Sequence, residues 1–353
     1  MQLAALLCYG IFVESKGPLN MRLVAVLLSV FLLAGTPASR ELRLAESPWP
    51  PYVEDGAESG LSVDLVHTAL RRAGYRPVSV AKPIGTLLPA LRTGSADGSV
   101  ALWKSPERER YLLYSDPYLQ NRLVVVGRNG TDVTARRLED LAGKRVAIVA
   151  DYAYGTALKQ TADVNLIEGR NDEDNLRSLL MGEVDYILAD EVLVAHLFQR
   201  YGDEARRLLT AGKVPLVMRN LHFAIRREFP EAERLVKAFN REILRMEADG
   251  SYNRILDLEW IRVDIDGDGR AELVVDGTAA GTKEPEDGYA ILEPTQDEEG
   301  GSDADEQKKG LERRYVIEGK VYESWDAVPA KYKTAPKRRQ LEGKQEGILL
   351  FDF

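Results

Sequence analysis

Residues 95–119 read SADGSVALWKSPERERYLLYSDPYL, an apolar run, a charged turn and an aromatic run in quick succession. The outer parts carry β-prone Val, Leu, Trp and Tyr, so the charged centre connects two strand-like segments. Within that centre Ser105 is a good helix N-cap and Pro106 suits the first helical position. A helix started there carries Arg108 in its first turn, beside backbone N–H groups that no helical carbonyl reaches. A guanidinium in that place grips a carboxylate with two parallel bonds, so the turn is a candidate anion site. The competing reading is a solvated turn in which Glu107, Arg108, Glu109 and Arg110 pair among themselves.

Outward from this stretch, short β-rich runs alternate with helical ones. ELRLAES, YRPVSVAK and ADGSVALW read as strands, with SVDLVHTALRRAG and IGTLLPALRTG as the helices between them. Further on, KRVAIVA reads as a strand and NDEDNLRSLLMGEVDYILAD as a helix followed by a strand. Such alternation predicts an α/β architecture with mostly parallel sheets. An internal echo points to two similar halves. LRTGSADGSVAL and LLMGEVDYILA each end a helix at a glycine, Gly94 or Gly182, and set an aspartate, Asp97 or Asp185, three residues on. Glycine in the left-handed conformation stops many helices, so the same pattern is also a generic helix-to-strand turn.

A length of 353 residues allows two lobes with cores of their own or one large domain. The net charge of -9 speaks against nucleic acid or an anionic membrane surface as the main partner. MRLVAVLLSVFLLAGTPASREL follows the order of a secretory signal: basic at Arg22, apolar over residues 23–34, small up to Ser39. The apolar run is short for a bilayer span, the alternative being a membrane anchor. Residues 1–39 are therefore set apart as a signal-peptide region, with Met21 as an alternative start. Cys8 is the only cysteine and falls in that region, so the mature chain has no disulfide framework, thiol nucleophile or thiolate metal site. A cysteine-free chain is compatible with an oxidising periplasm, the expected localisation.

Near the other end, FPEAERLVKAFNREILRMEADG has apolar residues at helical spacing and closes at Gly250. In VDIDGDGRAEL, Asp264, Asp266 and Asp268 alternate, followed by the backbone carbonyl of Arg270 and by Glu272 at the ninth position. Hard cations take several oxygens from one tight loop. One reading is thus a short Ca2+ loop between two strands, and the other a metal-free acidic turn in a hairpin. Val275 stands where an EF-hand needs its glutamate. No other cofactor is expected. EPTQDEEGGSDADEQKKG reads as a solvated linker, and RRYVIEGKVYESWDAVPAKYK as a small hairpin and helix. His67, His196 and His222 are scattered, and the sequence has no nucleotide loop and no HExxH motif.

Five segments, taken in order, carry a family resemblance. GLSVDLVHTALRRAG, LRTGSADGSVALWKSPERERYLLYSDPYL, LEDLAGKRVAIVADYAYGTALKQ, GEVDYILADEV and FPEAERLVKAFNREILRMEADGSYNRI resemble successive parts of the family 3 bacterial extracellular solute-binding proteins. These are periplasmic receptors of polar amino acid ABC transporters. The resemblance spans about residues 42–260. It implies the two-lobed type II periplasmic-binding-protein fold, in which two crossing strands join α/β lobes around a ligand cleft. Lobe 1 would take residues 40–125 and 218–260, and lobe 2 residues 126–217. The loop of residues 261–275, a linker over 276–311 and a small β-rich C-terminal appendix over 312–353 would follow. By the same resemblance Arg108 holds a ligand α-carboxylate and Asp190, in GEVDYILADEV, receives the α-ammonium. Trp49 stacks on the ligand side chain, and Glu46 falls near a ligand-contacting acid.

Two departures bear on the site. Trp103 stands where the family has a small hydroxyl residue, and DYAYG replaces a Gly-Ser/Thr-Thr run, placing Asp151, Tyr152, Ala153 and Tyr154 there. Tyr hydroxyls can serve as substitute donors, and Trp49, Trp103 and Tyr152 can stack on a cationic or aromatic ligand. Each ring is alternatively a packing or hinge residue. The expectation is a non-catalytic, monomeric protein that captures an amino acid or related organic acid for an ABC transporter permease. Some relatives on this fold are cyclohexadienyl dehydratases, so the alternative is an enzyme in which Asp190 or Glu191 protonates a leaving hydroxyl. A sensor input domain is a third reading, disfavoured by the lack of a later membrane-spanning stretch. The tail from about residue 276 is expected to be dispensable for binding, since the cleft segments all precede it.

Overall fold

In the computed structural model β1 (Arg40–Glu46), α1 (Leu61–Arg72), β2 (Tyr75–Ala81), α2 (Ile84–Thr93) and β3 (Gly98–Trp103) build the first lobe. The short β4 (Leu112–Tyr114) precedes the long β5 (Leu119–Arg128). The second lobe contains β6 (Arg145–Val149), β7 (Asn165–Gly169), α3 (Asp172–Met181), β8 (Tyr186–Asp190), α4 (Glu191–Leu208) and β9 (Leu209–Ala211). A second long strand, β10 (Val217–Arg226), then leads into α5 (Ala232–Ala248) and α6 (Ser251–Leu256). The structure describes residues 40–156, 158, 163–277, 279–292 and 313–335; the signal-like segment with Cys8 and the acidic run lie outside the described residues. Among the described residues no helix is long and apolar enough to cross a membrane.

Helix periodicity decides which faces go inward. α1 buries Val63, Leu65, Val66, Ala69 and Leu70, and α5 buries Leu235, Val236, Phe239, Ile243 and Met246. These are the three- and four-residue steps of one helix face.

The hydrogen-bonded strand order is β2-β1-β3-β10-β5-β8-β6-β7. It reads the same from both ends, with β1 matching β6, β2 matching β7 and β3 matching β8. β1 runs parallel to β3, and β6 parallel to β8. β5 and β10 form an antiparallel seam from Leu119↔Leu221 to Leu123↔Val217. Beyond the seam β10 continues along β3 and β5 along β8, so each long strand belongs to both lobes. This is the two-lobed type II arrangement.

The internal echo is the same device built twice. Gly94 and Gly182 both end helices in the left-handed conformation, at φ 83° and 78°. Asp97 accepts from the Arg43 backbone N–H at 2.9 Å and from its Nη2 at 2.7 Å, while the same Nη2 donates to the Gly94 carbonyl at 3.2 Å. Asp185 accepts from the Arg145 N–H at 2.9 Å and from its Nη2 at 2.8 Å, and that Nη2 reaches the Gly182 carbonyl at 3.1 Å. In each lobe an arginine of the neighbouring strand thus clamps the helix-to-strand turn.

The C-terminal part differs from its reading in sequence. β11 (Trp260–Val263), β12 (Glu272–Val275), β13 (Tyr289–Ala290), β14 (Tyr315–Ile317) and β15 (Lys320–Tyr322) form one sheet in the order β13-β11-β12-β14-β15. The appendix therefore begins at Trp260, and β13 lies inside the stretch taken for a linker over residues 276–311. The expected terminal hairpin is β14–β15, but turns and bends follow it where a helix was expected. One face of this sheet buries Trp260, Leu273, Val275, Tyr315 and Tyr332. From the other, Ile261, Val274 and Val316, with Ile291 just past β13, join the core that holds Phe223, Phe239, Ile148 and Leu188. A two-stranded hairpin is marginal in water, and here it is completed by flanking strands and by lobe 1.

Candidate functional site

The residues of interest stand at the carboxyl ends of the parallel strands, where open α/β sheets place their ligands. Ser47 and Trp49 follow β1, Trp103 ends β3, residues 151–154 follow β6 and Asp190 ends β8. Trp49, Trp103 and Arg108 from the first lobe and Tyr152 and Ala153 from the second line a cavity of about 30 Å³. That is room for a water or two beside these side chains.

Those rings form a continuous wall. Trp49 lies 4.7 Å from Tyr52, 5.7 Å from Trp103 and 5.8 Å from Tyr152 between centroids. Trp103 is 5.3 Å from both Tyr152 and Tyr154. Edge-to-face contacts of this sort add about 0.5–1.5 kcal/mol each beyond area burial. Trp103 also donates its indole N–H to Asn121 Oδ1 at 2.7 Å, tying the wall to the seam strand β5. The Tyr154 hydroxyl accepts from the Val149 N–H at 2.8 Å.

Arg108 is buried, and its surroundings differ from the helix-terminus site expected of it. The turn is a single 3₁₀ turn, Arg108–Arg110, too short to gather a set of free N–H groups. Its guanidinium instead donates to the Trp103 carbonyl at 2.9 Å and to the Asp151 carbonyl at 2.5 Å, one in each lobe. The neighbouring carboxylates do not compete: Glu107 pairs with Arg92 at 3.1 Å and Glu109 with Lys104 at 2.9 Å. Asp151 holds φ 62°, a left-handed conformation uncommon for a residue other than glycine.

Asp190 is buried at the start of α4. Its Oδ1 accepts from the Val192 N–H at 2.9 Å and the Tyr52 hydroxyl at 2.6 Å, and its Oδ2 from the Arg122 N–H at 3.1 Å. Burial pushes its carboxyl up to about 6, although the Tyr52 bond pulls the other way. Sequence reasoning missed Asp172, the first residue of α3. Burial pushes its carboxyl up to about 7, helped by the charge of Asp190. Burial, with the charge of Asp172 next in weight, also raises the Tyr152 and Tyr154 phenols. An acidic residue in a first helical turn reads in sequence only as a favourable dipole partner.

Glu46 has a different setting. It is buried beneath β3, accepting from Ser99 Oγ at 2.9 Å and from the Val100 N–H at 2.9 Å. Burial pushes its carboxyl up to about 8, so it is neutral near pH 7. In the appendix, the carboxylates of Asp264, Asp266 and Asp268 bring oxygens within 4.8 Å of one another. Arg314 of the appendix lies against this cluster, 3.3 Å from Asp266 and 3.0 Å from Asp268, and pairs with buried Glu272. The Arg270 carbonyl faces the same guanidinium at 3.5 Å.

The model of the bacterial extracellular solute-binding proteins, family 3, matches residues 43–262. The chain belongs to that family. ABC transporter arginine-binding protein 1 of Escherichia coli (strain K12) is 21% identical over 242 residues, 67% of this chain and 97% of the relative. A crystal structure of a mutant of ArgBP from T. maritima aligns at a TM-score of 0.52 with 23% identity, covering 62% of this chain and 93% of that one. An ancestral amino acid-binding protein, a precursor of cyclohexadienyl dehydratase, aligns at 0.51 with 20% identity, covering 62% and 94%. Likeness at this level establishes the solute-binding fold. The family match ends inside β11, so β12 to β15 lie beyond it.

Proposed function

We propose that the chain is a periplasmic, monomeric receptor that captures an amino acid or a closely related organic acid between its lobes and delivers it to an ABC transporter permease. The observation that carries this is that a buried guanidinium, Arg108, and a buried carboxylate, Asp190, each bond to a member of one aromatic cluster, Trp103 and Tyr52 respectively. Arg108 lines the cavity, and Asp190 is tied to it through Tyr52, whose ring packs on Trp49. Opposite charges flanking apolar rings complement a zwitterion with a side chain. In this reading a ligand carboxylate displaces the Trp103 and Asp151 carbonyls from Arg108, because a charged acceptor binds a guanidinium more strongly than a neutral one. Asp190 takes the ammonium, the rings part to stack on the side chain, and the seam strands carry the closure. Membership of a solute-binding family and amino acid-binding relatives support the same reading. Native mass spectrometry and a thermal-shift screen of amino acids and small organic acids test it. A matching ligand well above its dissociation constant should stabilise by a few kcal/mol. A screen in which nothing shifts the transition would remove the reading.

A second reading rests on the carboxyl pair. Burial pushes the carboxyls of Asp172 and Asp190 upward, the direction that general-acid chemistry requires. Incubation with prephenate or arogenate and analysis for the dehydrated product separates this enzyme from the receptor.

A further inference from the structure

Arg122 is the residue at which both lobes and the appendix meet. It lies in the seam opposite Met218, one step before the β5–β8 ladder opens at Leu123↔Asp190. Its backbone N–H goes to the Asp190 carboxylate at 3.1 Å. Its buried guanidinium donates to Glu191 at 3.0 Å, the first residue of α4 in lobe 2, and to the Ala290 carbonyl of the appendix at 2.7 Å. The Tyr289 ring lies against the same guanidinium, 5.1 Å from its carbon.

Tyr289 and Ala290 are the whole of β13, and that short strand is held in the appendix sheet, which Asn253 of α6 ties to lobe 1 by donating its Nδ2 to the Val274 carbonyl at 2.9 Å. β13 pairs with Ile261 and Arg262 of β11, and Ile291 is buried in the shared core. Arg262 holds Asp287 through both carboxylate oxygens, at 3.1 and 3.0 Å. At Gly288 an added Cβ would meet the Ile261 backbone at 2.9 Å and the Leu273 side chain at 3.0 Å, so β13 enters against β11 at a distance only glycine permits.

We propose that β13 is a hinge brace: Tyr289 and Ala290 position Arg122, and through it Glu191 and Asp190, so that the appendix limits how far the lobes part. Opening the cleft turns the seam strands and draws α4 away from β11 and its partners. Arg122 then loses either Glu191 or Ala290. Leaving a buried charged donor short of a partner is costly, so the brace favours the closed arrangement. Arg122, Tyr289 and Ala290 are positioning residues in this account. The consequence for ligand affinity rests on the proposed function, whereas the limit on lobe separation does not.

The test uses the full chain in a Cys8→Ser background with spin labels at exposed Glu58→Cys and Glu139→Cys, one in each lobe, and pulsed dipolar spectroscopy without and with a mixture of the standard L-amino acids. The wild type should give one narrow distance distribution. Arg122→Gln and, more mildly, Tyr289→Leu should give broader ones reaching longer distances, and Arg122→Lys should recover part of the narrowing. Affinity for whichever amino acid binds should fall at least tenfold in Arg122→Gln. Superimposable distributions for the wild type and the folded Tyr289→Leu protein would overturn the brace, even if Arg122→Gln fails to fold. Broadened variants with no response of the wild type to amino acids would keep the brace and remove the ligand reading. A wild-type response with no difference among the variants would do the reverse.

Discussion

The Tyr52 hydroxyl donates to Asp190 Oδ1 at 2.6 Å across 138 residues of sequence. One bond thus connects a lobe 1 ring of the aromatic wall to the carboxylate of lobe 2. Tyr52→Phe removes it while the Val192 and Arg122 N–H groups remain. The loss should cost about 1–3 kcal/mol of stability in denaturant unfolding, as for a hydrogen bond to a charged group. The bond lowers the Asp190 carboxyl, so its removal should raise that carboxyl further above about 6, visible in an NMR titration. Because the carboxylate needs the bond more than the acid does, the penalty should be larger at about pH 8 than at about pH 5. An equal penalty at both would count against a charged Asp190.

Glu46 makes stability fall with rising pH. Its carboxyl stands at about 8 when folded against 4.5 as a free group. Protonated burial therefore contributes stability that is complete below the lower value and lost as pH rises through the upper. Glu247, likewise pushed up to about 8 by burial, acts in the same direction. Melting temperatures should decline from about pH 5 to about pH 8, with a flatter profile in Glu46→Gln and the flattest in the double variant with Glu247→Gln. A profile unchanged by either substitution would refute the assignment.

Arg108→Ala removes the guanidinium that reaches a carbonyl in each lobe. Ligand affinity should drop on the order of a hundredfold or more, the cost of truncating a buried charge-assisted contact. Arg110, exposed on the same turn, is the control, and its alanine variant should bind as the wild type does. Calorimetry with a ligand from the screen decides. Equal affinities for Arg108→Ala and wild type would end the carboxylate role, and a larger effect at Arg110 would move it there.

Arg314 and calcium are proposed to compete for one set of oxygens. The guanidinium already pairs with Asp266, Asp268 and Glu272. Calcium titrated into the wild type should bind weakly, and Arg314→Ala should bind it more tightly and regain in melting temperature what the lost pairs removed. No heat from either protein would leave the loop as an ion-paired turn.

The alternation of strands and helices and the helix stops at Gly94 and Gly182 were legible because they depend on short-range rules of period and turn chemistry, whereas the two-lobed fold followed from the family resemblance. Trp103, Tyr152 and Tyr154 stood out in the sequence by departing from a family pattern, although only the structure puts them in one wall. What stayed hidden was tertiary. Nothing near Arg122 in sequence foretells its contact with Ala290, 168 residues away, and nothing near Asp172 foretells that its carboxyl is pushed up to about 7. The tail's acidic run is too polar to fold alone, but the stretches flanking it bury Ile291 and Val316 in the core that also holds Phe223 and Phe239. The expectation that the tail from about residue 276 is dispensable for binding is tested by the ligand affinity of a folded chain ending at residue 275; a loss of affinity there would count against it.

The clamps of Arg43 on Asp97 and Arg145 on Asp185 stand at the amino ends of β3 and β8, whereas Trp103 and Asp190 close the carboxyl ends of those strands. Five residues of β3 and four of β8 thus separate the clamped aspartates from Trp103 and Asp190. A tryptophan in place of a small hydroxyl residue re-lines the mouth of lobe 1 without touching the anchor at its base. Such a scaffold can change its taste while keeping its topology: mutational drift at the rim is decoupled from the parts that make the chain fold, and selection can act on the two ends independently.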